Sequence, residues 1–387
     1  MADKWKSKGP DEPKPESLRA IRYNWHAMRK LQAALGDDPE TDLAERLPPN
    51  YSRRLADIRD PNYAPPKKPN TRPKRADDGG DIREFLHATD LVEVIFPLSE
   101  VVSKLLDGVT TSAEPLPNGL SPRICDLLHN SETLWKGPFP SSAMIFKCSE
   151  NIVVKAIAKM HDYTEYTTLQ YLEHIPSIPA PKPLGLVKMN MVSLVFMTEM
   201  RSITLSEVWS SLGSTEKASI SDQLNAILVK LRSLPYSAGT PLGGVGGEGC
   251  KDIRRHLRHS STPITTLSGF EDFLCTSAHP GRDIFLELLQ QLSPSTVDPP
   301  QCIVFTHGGL RPDNIVVDVT DNHYTITGIL DWEYSGFYPE YYESVRCTNC
   351  LMPYEKDAWY LYLPDCVSLK RYSHWWLLDR VREARVV

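Results

Sequence analysis

Two stretches of this chain carry residue types that could do chemistry. The first is Phe305-Thr306-His307-Gly308-Gly309-Leu310-Arg311-Pro312-Asp313-Asn314-Ile315-Val316-Val317-Asp318; the second is Ile326-Thr327-Gly328-Ile329-Leu330-Asp331-Trp332-Glu333. A polar loop, a strand, a turn, a second strand and an aspartate at its end form a layout suited to phosphoryl transfer. That reaction needs little covalent help from protein. It needs positioning, and cations at the phosphate oxygens. The amide of Asn314 and the carboxylate of Asp331 are hard oxygen donors of the kind Mg2+ takes. Either could be an ordinary turn residue; their shared context favours metal ligation.

These stretches resemble the aminoglycoside phosphotransferase and choline kinase-like family, in the branch common in fungi. The family loop reads His-Gly-Asp-Leu-x-Pro-x-Asn and its metal segment Ile-Asp-Trp-Glu. His307, Gly308, Leu310, Pro312, Asn314, Asp331, Trp332 and Glu333 match, and the run Gly336-Phe337-Tyr338-Pro339-Glu340-Tyr341-Tyr342-Glu343 is similar to the segment that follows. Upstream, Lys155 resembles the strand lysine that holds nucleotide phosphates, and Glu165 the helix glutamate that orients it. Glu199 and Met200, in Phe196-Met197-Thr198-Glu199-Met200, resemble the hinge that takes adenine through backbone groups. The resemblance runs from about Trp135 to the C-terminus. It implies an α+β, protein-kinase-like two-lobe fold with an N-terminal extension, and ATP with Mg2+ as cofactors. His307 is implied to brace the loop rather than to move protons. Lys155 as a surface lysine and Glu165 as a solvated helix residue stay open as plain readings.

One position departs from the family. Its catalytic Asp, which accepts the proton of the substrate hydroxyl, falls on Gly309, and glycine has no side chain to act as a base. Losing a general base costs on the order of 10²–10⁴ in rate. Asp313 is a substitute by sequence proximity alone, and the turn at Pro312 is expected to point it elsewhere. The phosphate loop, Gly137-Pro138-Phe139-Pro140-Ser141-Ser142, is poor in glycine, which leaves the amides and hydroxyls of Ser141 and Ser142 as phosphate contacts. Four functions follow: a nucleotide-binding protein whose transfer is lost or very weak, a working small-molecule kinase that tolerates Gly309, an enzyme repurposed for an apolar metabolite in the same cleft, or a scaffold that uses no ATP.

The elements that must position these residues can be read from periodicity. Strands are expected at 143–146 and 152–157, a helix through Glu165, Leu169 and Leu172, a strand at 192–197 and a helix at 219–234. Strands at 302–306, 314–319 and 324–330 follow, the last two joined by Thr320-Asp321-Asn322-His323. Residues 82–106 read as mostly helical. Gly243-Gly244-Val245-Gly246-Gly247 reads as a flexible loop without the strand-before, helix-after context of a nucleotide fingerprint. Trp359, Tyr360, Tyr362, Trp375 and Trp376 read as core packing before a substrate pocket. Three segments are expected: an arm at 1–80 with one amphipathic helix (Leu18, Ile21, Trp25, Met28, Leu31 and Leu35, capped by Ser17 and ended by Gly36) and a Pro/Lys/Arg-rich linker at 61–75, an N-lobe at 81–200, and a helical C-lobe at 201–387.

Composition sets the outer limits. The 387 residues include 43 Lys plus Arg and 49 Asp plus Glu, for a net charge of −6. The first 80 residues hold 17 basic and 13 acidic side chains, net +4, so the rest carries −10. A mildly acidic chain is not built to bind nucleic acid through a general basic field. The basic arm is a solvated linker or a docking point for a protein partner. No apolar run approaches the roughly 18 residues a membrane span needs, and the polar start is unlike a secretory signal. The expectations are a cytoplasmic location and a small-molecule partner. The eight cysteines suggest no disulfide framework, and the Cys347–Cys350 spacing lacks the second pair a zinc ribbon requires.

Overall fold

The computed structural model describes residues 15–48, 50–59, 80–108, 119–137, 142–254, 257–275, 283–292, 302–321, 323–349, 351 and 358–385. It has two compact units, Met1–Asp77 and Asp78–Val387.

The first unit holds α1 (Pro15–Asp37), α2 (Leu43–Arg46) and α3 (Tyr51–Arg59). The expectation of a single helix in this arm is therefore corrected. Ser17 lies inside α1 rather than capping it, and Pro15 supplies the preset φ of a first turn. The buried face of α1 also differs from the apolar stripe. Ala20 and Ala27 are buried, while Ile21, Met28 and Leu35 are exposed. The reason is α3: Tyr51 stacks on Tyr23 at 5.6 Å and donates to Asn24 Oδ1 at 2.9 Å, so the face of residues 20, 23, 24 and 27 turns inward. The linker at 61–75 lies outside the described residues.

The second unit opens with β1 (Val92–Phe96), α4 (Glu100–Asp107), α5 (Leu120–His129), β2 (Glu132–Lys136), β3 (Ala143–Lys147), β4 (Ile152–Ala158), α6 (Thr164–Leu172), β5 (Pro183–Met189) and β6 (Val192–Thr198). The helical reading of 82–106 is corrected by β1. Val92, Val94, Ile95 and Phe96 favour a strand, Pro97 stops it, and Ser99 then caps α4 by accepting from Val102 N. The strands form one antiparallel sheet in the order β1-β5-β6-β4-β3-β2. Its central strands are apolar on both faces. Phe146, Val154, Leu194 and Phe196 meet Ile124 and Leu128 of α5 on one side, while Val153, Val195 and Met197 meet Leu169 and Leu172 of α6 on the other.

The chain continues through β7 (Ile203–Thr204), α7 (Leu205–Val208), α8 (Ser214–Arg232), β8 (Lys251–Asp252), β9 (Arg258–His259), α9 (Leu267–Cys275), α10 (Asp283–Gln291), β10 (Ile303–Thr306), β11 (Ile315–Thr320), β12 (His323–Ile329), β13 (Gly336–Pro339), α11 (Tyr342–Arg346) and α12 (Ser373–Arg385). This half is not purely helical, since β12-β11-β7, β10-β13 and β8-β9 form three small sheets. Gly243 is not in a flexible loop: its N–H and C=O both bond to Phe337 at 2.9 Å, which ties it to β13. The aromatic residues pack as core. Trp359 and Tyr362 stand edge-on to Trp209, and Trp375 stacks on Tyr341 at 3.9 Å. Cys347 is a buried free thiol, and Cys350 lies outside the described residues. Among the described residues no helix is long and apolar enough to cross a membrane.

A buried charge network fastens β8 to this half. Asp252, 1 % exposed, accepts from Arg254 Nη2 at 2.7 Å and from Arg258. Burial opposes its charge, but bonds and charges from both arginines outweigh burial and hold its carboxyl down at about 2. A folded value below the unfolded one stabilises above about pH 4 and is lost as pH falls toward 2. Asp252→Asn is expected to destabilise by about 1–3 kcal/mol at pH 7, since it removes the charge-assisted bonds to both arginines while Arg254 keeps Asp379. Urea melts of mutant and wild type should converge as the pH is lowered from 4 to 2.

Candidate active site

Lys155 lies in mid-β4, hydrogen-bonded into the sheet between Ile145 of β3 and Val195 of β6. Its Nζ donates to Glu165 Oε2 on α6 at 2.8 Å and to Asp331 Oδ1 just beyond β12 at 2.7 Å, with Glu333 Oε2 at 3.8 Å. The side chains of Lys155 and Glu165 are 10 % and 3 % exposed, so these charges sit largely out of water. Burial disfavours the ammonium, but Asp331, Glu165 and Glu333 together raise its pKa well above the ordinary value. Burial, reinforced by the other two carboxylates, pushes Glu165 up to about 7 despite Lys155. Burial and then Asp331 raise Glu333. Burial also works against Asp331, yet Lys155 holds it below the usual range. Three carboxylates thus share one ammonium.

The loop before β11 leans on the same cluster. Asn314 Nδ2 donates to Gly309 O at 2.8 Å and approaches Asp331 Oδ2 at 3.4 Å. His307 is fully buried. Its Nδ1 accepts from Gly309 N at 3.2 Å and its Nε2 donates to Leu330 O at 2.9 Å, so the ring is neutral and spans loop and strand end. Burial lowers its pKa, which fits that tautomer. Glu343 of α11 grips the loop from behind, accepting from His307 N at 2.5 Å and Gly308 N at 3.2 Å.

The two loop glycines differ. Gly308 has φ +76°, and a Cβ there would collide with the backbone oxygen of Tyr334. Gly309 has no left-handed φ, and a Cβ there would sit 3.7–3.8 Å from His307 and Asn314, which is ordinary contact. Backbone geometry demands glycine at 308 and not at 309. Asp331 itself has φ 66°, a sparsely populated conformation for a residue that is not glycine.

The structure thus brings Lys155, Glu165, Asn314, Asp331, His307 and Gly309 into one chain of contacts. Asp313 does not join them; it is exposed on the turn beside Pro312. Ser142 closes the β3 entry, its carbonyl accepting from Ala158 N at 2.9 Å, and Ser141 lies outside the described residues. Glu199, just past β6, gives its amide to Asn151 O at 2.9 Å and takes Lys147 Nζ on its carboxylate at 2.7 Å. Met200 packs over Gly328 of β12. Sequence reasoning assigned no role to Glu333, Glu343, Lys251 or Arg346. Glu333 had a signal, its place beside Asp331; Lys251 follows no readable motif.

The donor set can be tested against a metal. Glu165, Asp331 and Glu333 hold carboxylate oxygens within 4.8 Å of one another. Asn314 has committed its NH2, and its side-chain Oδ1 accepts no hydrogen bond among the described residues, while its backbone carbonyl accepts from Leu330 N at 2.8 Å. An all-oxygen set with surplus negative charge fits a hard divalent cation such as Mg2+.

The family described as "Phosphotransferase enzyme family" matches residues 154–364. Similar solved structures include a thermostable mutant of aminoglycoside phosphotransferase APH(4)-Ia in its apo form, 15 % identical over 66 % of this chain and 82 % of that one, with a TM-score of 0.44. A mutant aminoglycoside 2′-phosphotransferase-IIIa in complex with GDP is 17 % identical over 66 % and 83 %, with a TM-score of 0.45. A streptomycin–ATP–APH(2″)-IIa ternary complex is 14 % identical over 75 % and 86 %, with a TM-score of 0.42. No curated protein sequence matches the chain.

Proposed function

The chain belongs to the phosphotransferase enzyme family, and from that premise we propose that it binds ATP with Mg2+ while transfer to a small-molecule hydroxyl is lost or strongly impaired. One observation carries the reading: Lys155 bonds both Glu165 and Asp331, Asn314 approaches Asp331, and position 309 beside them has no side chain.

The roles are those the family resemblance implies, and the contacts are consistent with them. Glu165 fixes the ammonium of Lys155, which is then aimed at nucleotide phosphates. Asn314 and Asp331 are the Mg2+ ligands, with Glu333 adding negative charge alongside. The bound ion would neutralise charge on the phosphate oxygens. His307 and Glu343 hold the loop so that residue 309 faces the acceptor. Backbone groups at Glu199 and Met200 take the adenine, and Ser142 borders the phosphates. What is missing is a group to take the acceptor's proton.

The test is thermal. ATP with Mg2+ at 100 times its Kd should stabilise the folded protein by about 2.7 kcal/mol and raise Tm in step with nucleotide concentration. ATP with EDTA should give a smaller shift. No shift at millimolar ATP and Mg2+ would overturn the reading in favour of a scaffold that uses no nucleotide.

A further inference from the structure

Arg346 ends α11 and is 7 % exposed. Its Nη1 is buried without a hydrogen-bond partner, and among the described residues the guanidinium makes no hydrogen bond or ion pair. The other buried arginines of this half are matched: Arg254 has Asp252, and Arg382 has Glu271. An unpaired buried charge is among the costliest features a fold can carry. Glu343, one turn earlier, is no substitute partner, because its oxygens are committed to the amides of His307 and Gly308.

The place of this cation matters as much as its isolation. The Arg346 guanidinium lies 5.2 Å from the centre of the Tyr334 ring, and Lys251 Nζ lies 5.8 Å from the same ring. Lys251 is itself satisfied, donating to Asp162 at 2.8 Å and to the backbone oxygen of Glu333 at 2.6 Å. Tyr334 backs directly onto Gly308. Two cations therefore flank the ring of the residue whose backbone abuts the loop at Gly308.

We propose that Arg346 anchors an anionic group, a carboxylate or a phosphate, on the acceptor molecule. The inference rests on reading this cleft as a phosphoryl-transfer site, and it names the acceptor class: a hydroxyl compound that also bears an acid group. A planar guanidinium matches either oxyanion through paired N–H donors. Lys251 adds positive potential without needing to touch the ligand.

The experiment uses full-length protein without nucleotide and follows Tm against sodium phosphate, glycerate, glycerol 3-phosphate, glycerol and choline at matched ionic strength in chloride. The anions should raise Tm in a saturable way; glycerol and choline should not. Glycerate acting alone assigns a carboxylate, and glycerol 3-phosphate with phosphate assigns a phosphate. Arg346→Met should weaken the anion's apparent affinity about tenfold or more. It should also keep or raise the Tm in chloride, because an uncompensated buried charge is gone. Arg346→Lys, which keeps the charge but loses the fork, should bind the anion at an intermediate level. Anion shifts that survive Arg346→Met but vanish in Lys155→Met would locate the anion at the nucleotide phosphates and overturn the inference. So would a chloride Tm that collapses in Arg346→Met together with unchanged anion affinity in Arg346→Lys. Wild type that binds ATP with Mg2+ but no anion overturns this inference alone. Wild type that binds the anion but no ATP overturns the nucleotide reading alone.

Discussion

Replacing Gly309 with Asp is expected to raise phosphoryl transfer, or ATP hydrolysis where no acceptor is supplied, by a sizeable part of the roughly 10²–10⁴ a general base provides. The structure removes one objection, because Gly309 lacks a left-handed φ and a Cβ there meets only ordinary contacts. The new carboxylate would stand next to Asn314, whose Nδ2 already bonds Gly309 O, and beside a neutral His307 held on both ring nitrogens. The assay is ADP release with and without a panel of small alcohols. Rescue that disappears when Asp331 is also changed supports a decayed transferase. Strong transfer by the wild type that Gly309→Asp fails to improve would mean that another group supplies the base. Conversion of a metabolite without nucleotide, lost in Gly309→Asp, would mean that glycine is there to make room and that the cleft has been repurposed.

The second large effect is expected from Asp331→Asn. Asparagine tolerates the left-handed backbone at 331 better than alanine does, so the variant tests charge rather than strain. Lys155 keeps Glu165 at 2.8 Å and is not stranded. The Tm without nucleotide should therefore move little. The Mg2+-dependent part of ATP affinity should fall by at least the roughly 10–100-fold that even outer partners of a metal site cost. Calorimetry with and without Mg2+ separates the two. Unchanged Mg2+-dependent affinity would remove Asp331 from the metal.

The site residues legible in the sequence were picked out by motif resemblance: Asn314 and Asp331 by the loop and the aspartate after the hairpin, Lys155 and Glu165 only by their order upstream of that motif. The structure joins Lys155 to Glu165 and Asp331, and Asn314 to Asp331. What was not legible depends on distance or on conformation. Glu343 reaches back to the amides of His307 and Gly308 across 35 residues or more. The surplus of carboxylates around Lys155 appears only once buried Glu165 and the partly exposed Asp331 and Glu333 converge on it. Strand β1 was hidden because its valines and isoleucine sit between two helical patterns, and Pro97 marks the break. In α1 the larger apolar residues pointed to the wrong face, since a two-alanine surface is what lets the short α3 approach.

The contrast between Gly308 and Gly309 also bears on how such a chain could change over generations. Aspartate and glycine codons differ by a single base. At 308 any replacement meets the backbone of Tyr334 and a left-handed φ, so the fold itself requires glycine there. At 309 a Cβ meets only ordinary contacts. One base change would therefore place a carboxylate beside a loop, a Glu343 clamp and a lysine that are already in position.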